Sequence, residues 1–77
     1  MKTLDQLKIG QTGTIQNVGG ERKLRRRLLD MGVTPGTRVL VIKMAPLGDP
    51  IEIKIRGYEL TLRKDEAQLL TIDEEIL

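Results

Sequence analysis

Arginine is the residue type that most clearly suggests chemistry in this chain. Five of the six residues from Arg22 to Arg27 are basic. A helix over this segment would turn Arg22, Arg25 and Arg26 to one side, and guanidinium groups form paired hydrogen bonds with carboxylates and phosphates. Three interpretations follow: a solvated helix face, docking onto an acidic protein surface, or contact with nucleic acid or anionic lipid.

Catalytic and metal-binding side chains are scarce. The chain has no histidine and no cysteine, which removes the usual general base and the imidazole and thiolate metal ligands. The carboxylates that remain are scattered singly, as at Asp5, Asp30, Asp49, Glu52 and Glu59. Met31 and Met44 stand where core packing is the default. We therefore expect no enzymatic activity, no cofactor and no metal site.

Two apolar side chains are candidates for partner contact. Leu47 lies at the tip of the turn Pro46–Pro50, where polar residues are usual, and Tyr58 is the single aromatic residue. With Met44 they would form a small apolar patch. One tyrosine can neither stack successive bases nor line a proline-peptide groove. Nucleic-acid binding is left as the alternative function, through phosphate contacts that weaken steeply with salt.

The length and charge of the chain limit its organisation. Residues 1–77 suit a single domain with one thin core, and no linker or repeat divides them. The net charge is +2, but without the acidic tail of Asp73, Glu74 and Glu75 thirteen basic residues face eight acidic ones. No apolar run approaches the roughly 20 residues that span a bilayer, and no signal peptide is apparent. We expect a cytoplasmic protein.

Helical signals occur at three places. A capping-box pattern over Thr3–Gln6 predicts one helical turn, with Leu4 and Leu7 sealing one end of the core. The segment Glu21–Met31 predicts a helix of about three turns that ends at Gly32, and its apolar stripe is Leu24, Leu28 and Met31. Residues 63–68 have the composition of a further helical turn.

Strand patterns fill most of the remaining chain. The predicted strands are Thr12–Val18, Arg38–Met44, Ile51–Ile55, Tyr58–Leu62 and Leu69–Ile72. The apolar centre of Arg38–Met44 is typical of a strand covered on both faces. A type II turn is predicted at Pro35-Gly36 and a tight hairpin at Arg56-Gly57. The fold class is therefore mainly β: a small SH3-like barrel of about five strands, with one inserted α-helix and short helical turns.

Three blocks of this sequence, in their order and spacing, closely resemble the FeoA family. They are Arg27–Thr37, Pro46–Ile51, and Arg56–Arg63 followed by Glu66-Ala67. The resemblance extends from Leu4 to about Ile72. It implies an SH3-like barrel related to the C-terminal domain of iron-dependent repressors. A chain without a helix-turn-helix resembles the transporter partner rather than the repressor.

The resemblance also implies a function. FeoA proteins are accessory to FeoB, a membrane transporter of ferrous iron with a cytoplasmic guanine-nucleotide-binding domain. We expect a cytoplasmic accessory protein, held at the inner face of the membrane through FeoB, that promotes or regulates iron uptake. Arg22, Arg25 and Arg26 would supply electrostatic docking, while Leu47 and Tyr58 would supply apolar contact. The arginines also suggest a finger that assists GTP hydrolysis. The sequence leaves self-association open.

Overall fold

One antiparallel sheet of six strands surrounds the core in the computed structural model, which describes residues 2–74. The strands are β1 (Lys2–Thr3), β2 (Thr12–Val18), β3 (Arg38–Met44), β4 (Ile51–Ile55), β5 (Tyr58–Leu62) and β6 (Leu70–Glu74). Their order across the sheet is β1-β6-β2-β3-β4-β5. Helix α1 (Arg22–Asp30) joins β2 to β3, and the short helix α2 (Lys64–Ala67) joins β5 to β6.

Four of the predicted strands, β2 to β5, have the predicted bounds, and β6 begins one residue later and runs further than expected. The predicted fold class, with about five strands, is confirmed; the sixth strand, β1, was not predicted. This strand contains two residues, and Lys2 and Thr3 pair with Ile72 and Thr71 of β6. Two residues are too few to show an alternating pattern, so only the distant partner strand reveals them.

The core forms between the inner face of the sheet and the connecting segments. On β4, Ile51, Ile53 and Ile55 are buried while Lys54 is exposed, which confirms the predicted alternation. Helix α1 contributes Leu28, which is fully buried, and the partly buried Leu24 and Met31. The remaining buried apolar side chains are Leu4, Leu7, Ile15, Val18, Val33, Val39, Val41, Leu62, Ala67, Leu70 and Ile72.

Strand β3 differs from its prediction. Val39 and Val41 are buried, but Leu40 and Ile42 on the opposite face are only partly buried, so the second face is covered less completely than expected. Lys54 lies directly opposite Leu40 across the strand pair, and the aliphatic stem of a lysine in such a position can cover apolar surface. Arg38 and Lys54 border the same shallow depression as Leu40.

The predicted turns are present. Gly32 follows α1 with φ of 93°, and Thr37 N–H donates to the Thr34 carbonyl across Pro35-Gly36 at 3.1 Å. The first turn of the chain is a 3-10 helix over Leu4–Gln6, in which Thr3 N–H donates to Gln6 Oε1 at 3.0 Å. A second 3-10 turn, Pro46–Gly48, joins β3 to β4.

None of the helices in residues 2–74 has the length and apolar character needed to cross a bilayer. The predicted acidic tail is described only in part. Asp73 is exposed on β6, and Glu75 lies outside the described residues.

Candidate partner-binding surfaces

The three arginines predicted for docking lie together on α1. Arg22, Arg25 and Arg26 are exposed, and with the partly buried Leu29 they line a shallow depression of about 400 Å³. We call these four residues the arginine face. Guanidinium groups surround a small apolar floor here, which is the arrangement of an interface with an apolar centre and a polar rim.

Local contacts hold two of these arginines in place. Arg25 Nε donates to the Val18 carbonyl at the end of β2, over 2.9 Å. Arg26 Nε lies 4.0 Å from Asp30 Oδ2 one turn along the helix, and both side chains are largely exposed, so this ion pair is weak. Within residues 2–74 no carboxylate lies within salt-bridge distance of Arg22. The face therefore keeps most of its positive charge.

Arg27 lies on another side of the helix and has a structural partner. Its guanidinium donates to Glu66 Oε2, while the other oxygen of the same carboxylate accepts the Arg63 N–H at 2.8 Å. Glu66 is 6% exposed. The carboxylate thus caps α2 and attaches α1 to it. The 39-residue separation hides this pair from sequence analysis, although Arg63-x-x-Glu66 has the spacing of a helix cap.

A groove runs beside this ion pair. It has a volume of about 610 Å³ and is lined by Arg27, Asp49, Pro50, Thr61, Arg63 and Glu66. A second, more apolar groove of about 270 Å³ shares Pro50 and Thr61 and includes Met44 and Ala45. The two grooves adjoin, so one end of the sheet offers charged and apolar surface side by side.

Leu47 lies at the tip of the loop beside these grooves. Its side chain is 96% exposed, and its backbone has φ of 69° and ψ of 11°. Gly48 N–H donates to the Ala45 carbonyl at 2.9 Å, so Leu47 occupies the position of a type II turn that favours glycine or asparagine. Both the exposure and the backbone conformation are unusual for leucine.

Tyr58 lies at the opposite end of β4 from Leu47. Met44 pairs with Ile51 at one end of the strand, and Tyr58 pairs with Ile55 at the other. Four residues of extended chain separate these ends by about 13 Å. The expected patch of Leu47, Met44 and Tyr58 is therefore not formed.

The Tyr58 ring is 43% exposed, but its hydroxyl donates to the Met31 carbonyl at the end of α1. This contact ties the β4–β5 hairpin to the helix. Sequence analysis also missed Ile9, which precedes β2 and is 60% exposed. A single apolar residue in a loop carries no periodic signal.

The family model of the FeoA domain matches residues 2–74. The chain belongs to the FeoA family. This family is linked to ferrous iron transport. A curated relative, the Fe(2+) transport protein A/Fe(2+) transporter FeoB fusion protein of Porphyromonas gingivalis, is 33% identical over 70 residues, which are 91% of this chain and 8% of that protein. The chain thus spans less than a tenth of the length of this relative.

Solved structures agree with the family assignment. The FeoA protein from Chlorobium tepidum is 39% identical with a TM-score of 0.89, over 97% of this chain and 71% of that one. The zinc complex of Stenotrophomonas maltophilia FeoA, described as an SH3 domain protein, has a TM-score of 0.82 at 23% identity and covers 95% and 91% of the two chains. At that identity the likeness shows the fold alone, and it confirms the predicted SH3-like architecture.

The sequence predicted a fold shared with the C-terminal domain of iron-dependent repressors, and solved repressor structures have the same fold in part of their chains. A manganese-dependent transcriptional repressor matches 96% of this chain with 36% of its own, at a TM-score of 0.88 and 19% identity.

Proposed function

We propose that this protein is a non-enzymatic accessory protein of bacterial ferrous iron uptake that binds the cytoplasmic region of a FeoB transporter. The observation that carries the proposal is the fusion relative, in which a region 33% identical to this chain belongs to the same polypeptide as the transporter. Covalent fusion keeps two domains at high effective concentration. A separate chain needs a binding surface to achieve the same association.

The arginine face is the surface best suited to that contact. Arg22, Arg25 and Arg26 concentrate positive charge around Leu29, and the Val18 carbonyl fixes the orientation of one guanidinium before binding. A pre-oriented arginine loses less conformational entropy when it meets a carboxylate. The expected partner surface is acidic with an apolar centre.

Leu47 supports a second, smaller contact. An exposed leucine in a left-handed backbone conformation costs free energy in the isolated protein, and such strain is commonly retained at binding sites. Tyr58 remains a predicted contact through its exposed ring, separate from Leu47.

Calorimetric titration of the full-length transporter in detergent tests the proposal, at low and high salt and with GDP or a non-hydrolysable GTP analogue. The Arg25→Glu/Arg26→Glu variant is expected to bind about tenfold or more weakly. It also loses the Arg25–Val18 hydrogen bond, so its melting temperature should fall by about 4–8 °C, and the titration is carried out well below that temperature. The matched control is Lys43→Glu/Lys54→Glu, which changes the charge equally at exposed positions of β3 and β4. Its affinity is expected to stay close to that of the wild type.

Three results would contradict parts of this proposal. Equal losses in the two double variants would mean that net charge, rather than the arginine face, governs binding. Unchanged affinity in Leu47→Ser would remove the second contact. No binding in any nucleotide state, together with salt-sensitive retention of RNA or DNA, would favour the nucleic-acid function instead.

The role of the arginines after docking needs a separate measurement. We propose that docking positions or gates the transporter, because one of the three guanidiniums is already bound to a carbonyl and a second lies near Asp30. Addition of this protein should then leave the GTP hydrolysis rate of the isolated nucleotide domain unchanged. A large acceleration that Arg22→Ala abolishes would indicate an arginine finger.

A further inference from the structure

Strand β5 is an edge of the sheet with unpaired backbone groups. The pair Ile55–Tyr58 flanks a two-residue turn, so Tyr58, Leu60 and Leu62 exchange hydrogen bonds with β4. The N–H and C=O groups of Glu59 and Thr61 therefore point away from β4. Within residues 2–74 neither residue forms any other hydrogen bond.

The two edges of the sheet are unequal. The other edge strand, β1, has two residues and continues directly into the 3-10 turn at Leu4. Strand β5 has five residues, and Tyr58, Glu59 and Thr61 are exposed. Proteins usually protect such an edge, because another strand can add to it.

The residues along this edge are complementary to themselves. Glu59 and Arg63 are exposed and lie two residues on either side of Thr61. An antiparallel second copy centred on Thr61 places Glu59 opposite Arg63 twice and Thr61 opposite Thr61. Opposite charges and paired threonines are both favourable across neighbouring strands. A register centred on Glu59 would instead oppose two carboxylates.

Backbone geometry fits the same register. In an antiparallel pair every second residue exchanges hydrogen bonds, and with Thr61 at the centre these positions are 59, 61 and 63. The Thr61 groups would bond to each other across the axis. Arg63 N–H is bound to Glu66, so each 59–63 pair forms one hydrogen bond instead of two: the Arg63 carbonyl, which already accepts the Ala67 N–H, accepts a second bond from Glu59 N–H.

We propose that β5 is a self-association edge, at which a second copy of this chain adds its own β5 antiparallel about a two-fold axis at Thr61. The contact involves five residues from each chain and is smaller than a standard stable interface, so the dimer is weak and depends on concentration. The proposal does not rest on transporter binding.

Sedimentation equilibrium and amide NMR of the full chain over a concentration series test the proposal. The wild type is expected to self-associate, with the largest shift changes at the Glu59 and Thr61 amides. Glu59→Arg should weaken association about tenfold, because it opposes like charges twice in each dimer. The double variant Glu59→Arg/Arg63→Glu exchanges the charges and should restore it.

Two further variants separate strand pairing from general charge effects. Glu21→Arg makes the same change of charge at an exposed position outside the sheet, and should leave association unchanged. Thr61→Pro removes an outward N–H that β4 does not use, so the monomer should fold while the dimer is lost. A wild type that stays monomeric at millimolar concentration, or a double variant that associates no better than Glu59→Arg, would overturn the proposal. Shift changes at the two edge amides that occur only on adding the transporter would also overturn it.

Discussion

The turns at the two ends of strand β4 have the same kind of backbone strain, but side-chain contacts offset it at only one of them. Each end is joined to its neighbour by a turn containing a non-glycine residue with positive φ: Leu47 with 69° and Arg56 with 44°. This conformation costs an L-amino acid roughly 1–2 kcal/mol.

At the Arg56 end, contacts with the body of the protein offset this cost. Arg56 Nη2 donates to Thr37 Oγ1 at 3.1 Å, and the neighbouring Tyr58 hydroxyl donates to the Met31 carbonyl. At the Leu47 end the side chain is 96% exposed. The positive φ at Arg56 therefore accompanies contacts that stabilise the fold, whereas the positive φ at Leu47 exposes an apolar side chain to solvent.

The largest expected loss of stability is for Gly32→Ala. Gly32 follows α1 and lies against Tyr58, beside the turn that contains Arg56. A Cβ at Gly32 would collide with the Tyr58 hydroxyl, and the residue has φ of 93°. The substitution combines backbone strain with the loss of the tie between hairpin and helix, so we expect the free energy of unfolding to fall by about 2–4 kcal/mol in urea titrations. Gly57→Ala is the matched control. Its φ is 87°, but no atom beyond its two chain neighbours lies within 4 Å of the added Cβ, so the free energy of unfolding should fall by only about 1 kcal/mol. Equal losses would show that the Tyr58 contact contributes little.

A smaller effect is expected for Tyr58→Phe. This change removes the hydroxyl that donates to Met31 and keeps the exposed ring. A hydrogen bond of this kind contributes about 1 kcal/mol, which in a domain of this size lowers the melting temperature by about 4–8 °C. Transporter affinity should stay unchanged if the ring provides the contact. A lower affinity measured well below the melting temperature would instead assign the binding role to the hydroxyl.

The smallest effect, and one of opposite sign, is expected for Leu47→Asn. Asparagine tolerates positive φ better than leucine does, so the melting temperature should rise by a few degrees, about 0.5 kcal/mol. Arg56→Asn relieves similar strain at the other end but loses the bond to Thr37, so no gain is expected there. An equal rise in both variants would remove the distinction between the two ends of β4.

Most of the fold could be predicted from the sequence, because its signals are local. Alternation in Ile51–Ile55, the stripe of Leu24, Leu28 and Met31, and the glycines at turns each act within a few residues. These patterns predicted α1 and strands β2 to β5. The arginine face was predictable for the same reason, since helical spacing alone brings Arg22, Arg25 and Arg26 together.

The features that were missed depend on distant residues or on backbone conformation. Strand β1 exists only through its pairing with β6, and Glu66 meets Arg27 across 39 residues. The left-handed conformation of Leu47 follows from the whole loop rather than from its own preference. The expected patch with Tyr58 failed because the two side chains belong to opposite ends of one strand, a relation that strand register determines.

The hydrogen bonds that hold helix α1 in place also determine when, during synthesis of the chain, its arginines can form an ordered surface. Two residues from later in the chain form hydrogen bonds with α1 and its C-terminal end. Tyr58, which binds Met31, is synthesised 27 residues after it, and Glu66, which binds Arg27, is synthesised 39 residues after it. At the usual speed of a ribosome the later partner emerges roughly 2–8 s after its arginine. A nine-residue helix is too short to persist alone in water. During that interval the nascent chain carries a basic stretch without a fixed shape, and the arrival of the segment from Tyr58 to Glu66 turns it into an ordered surface.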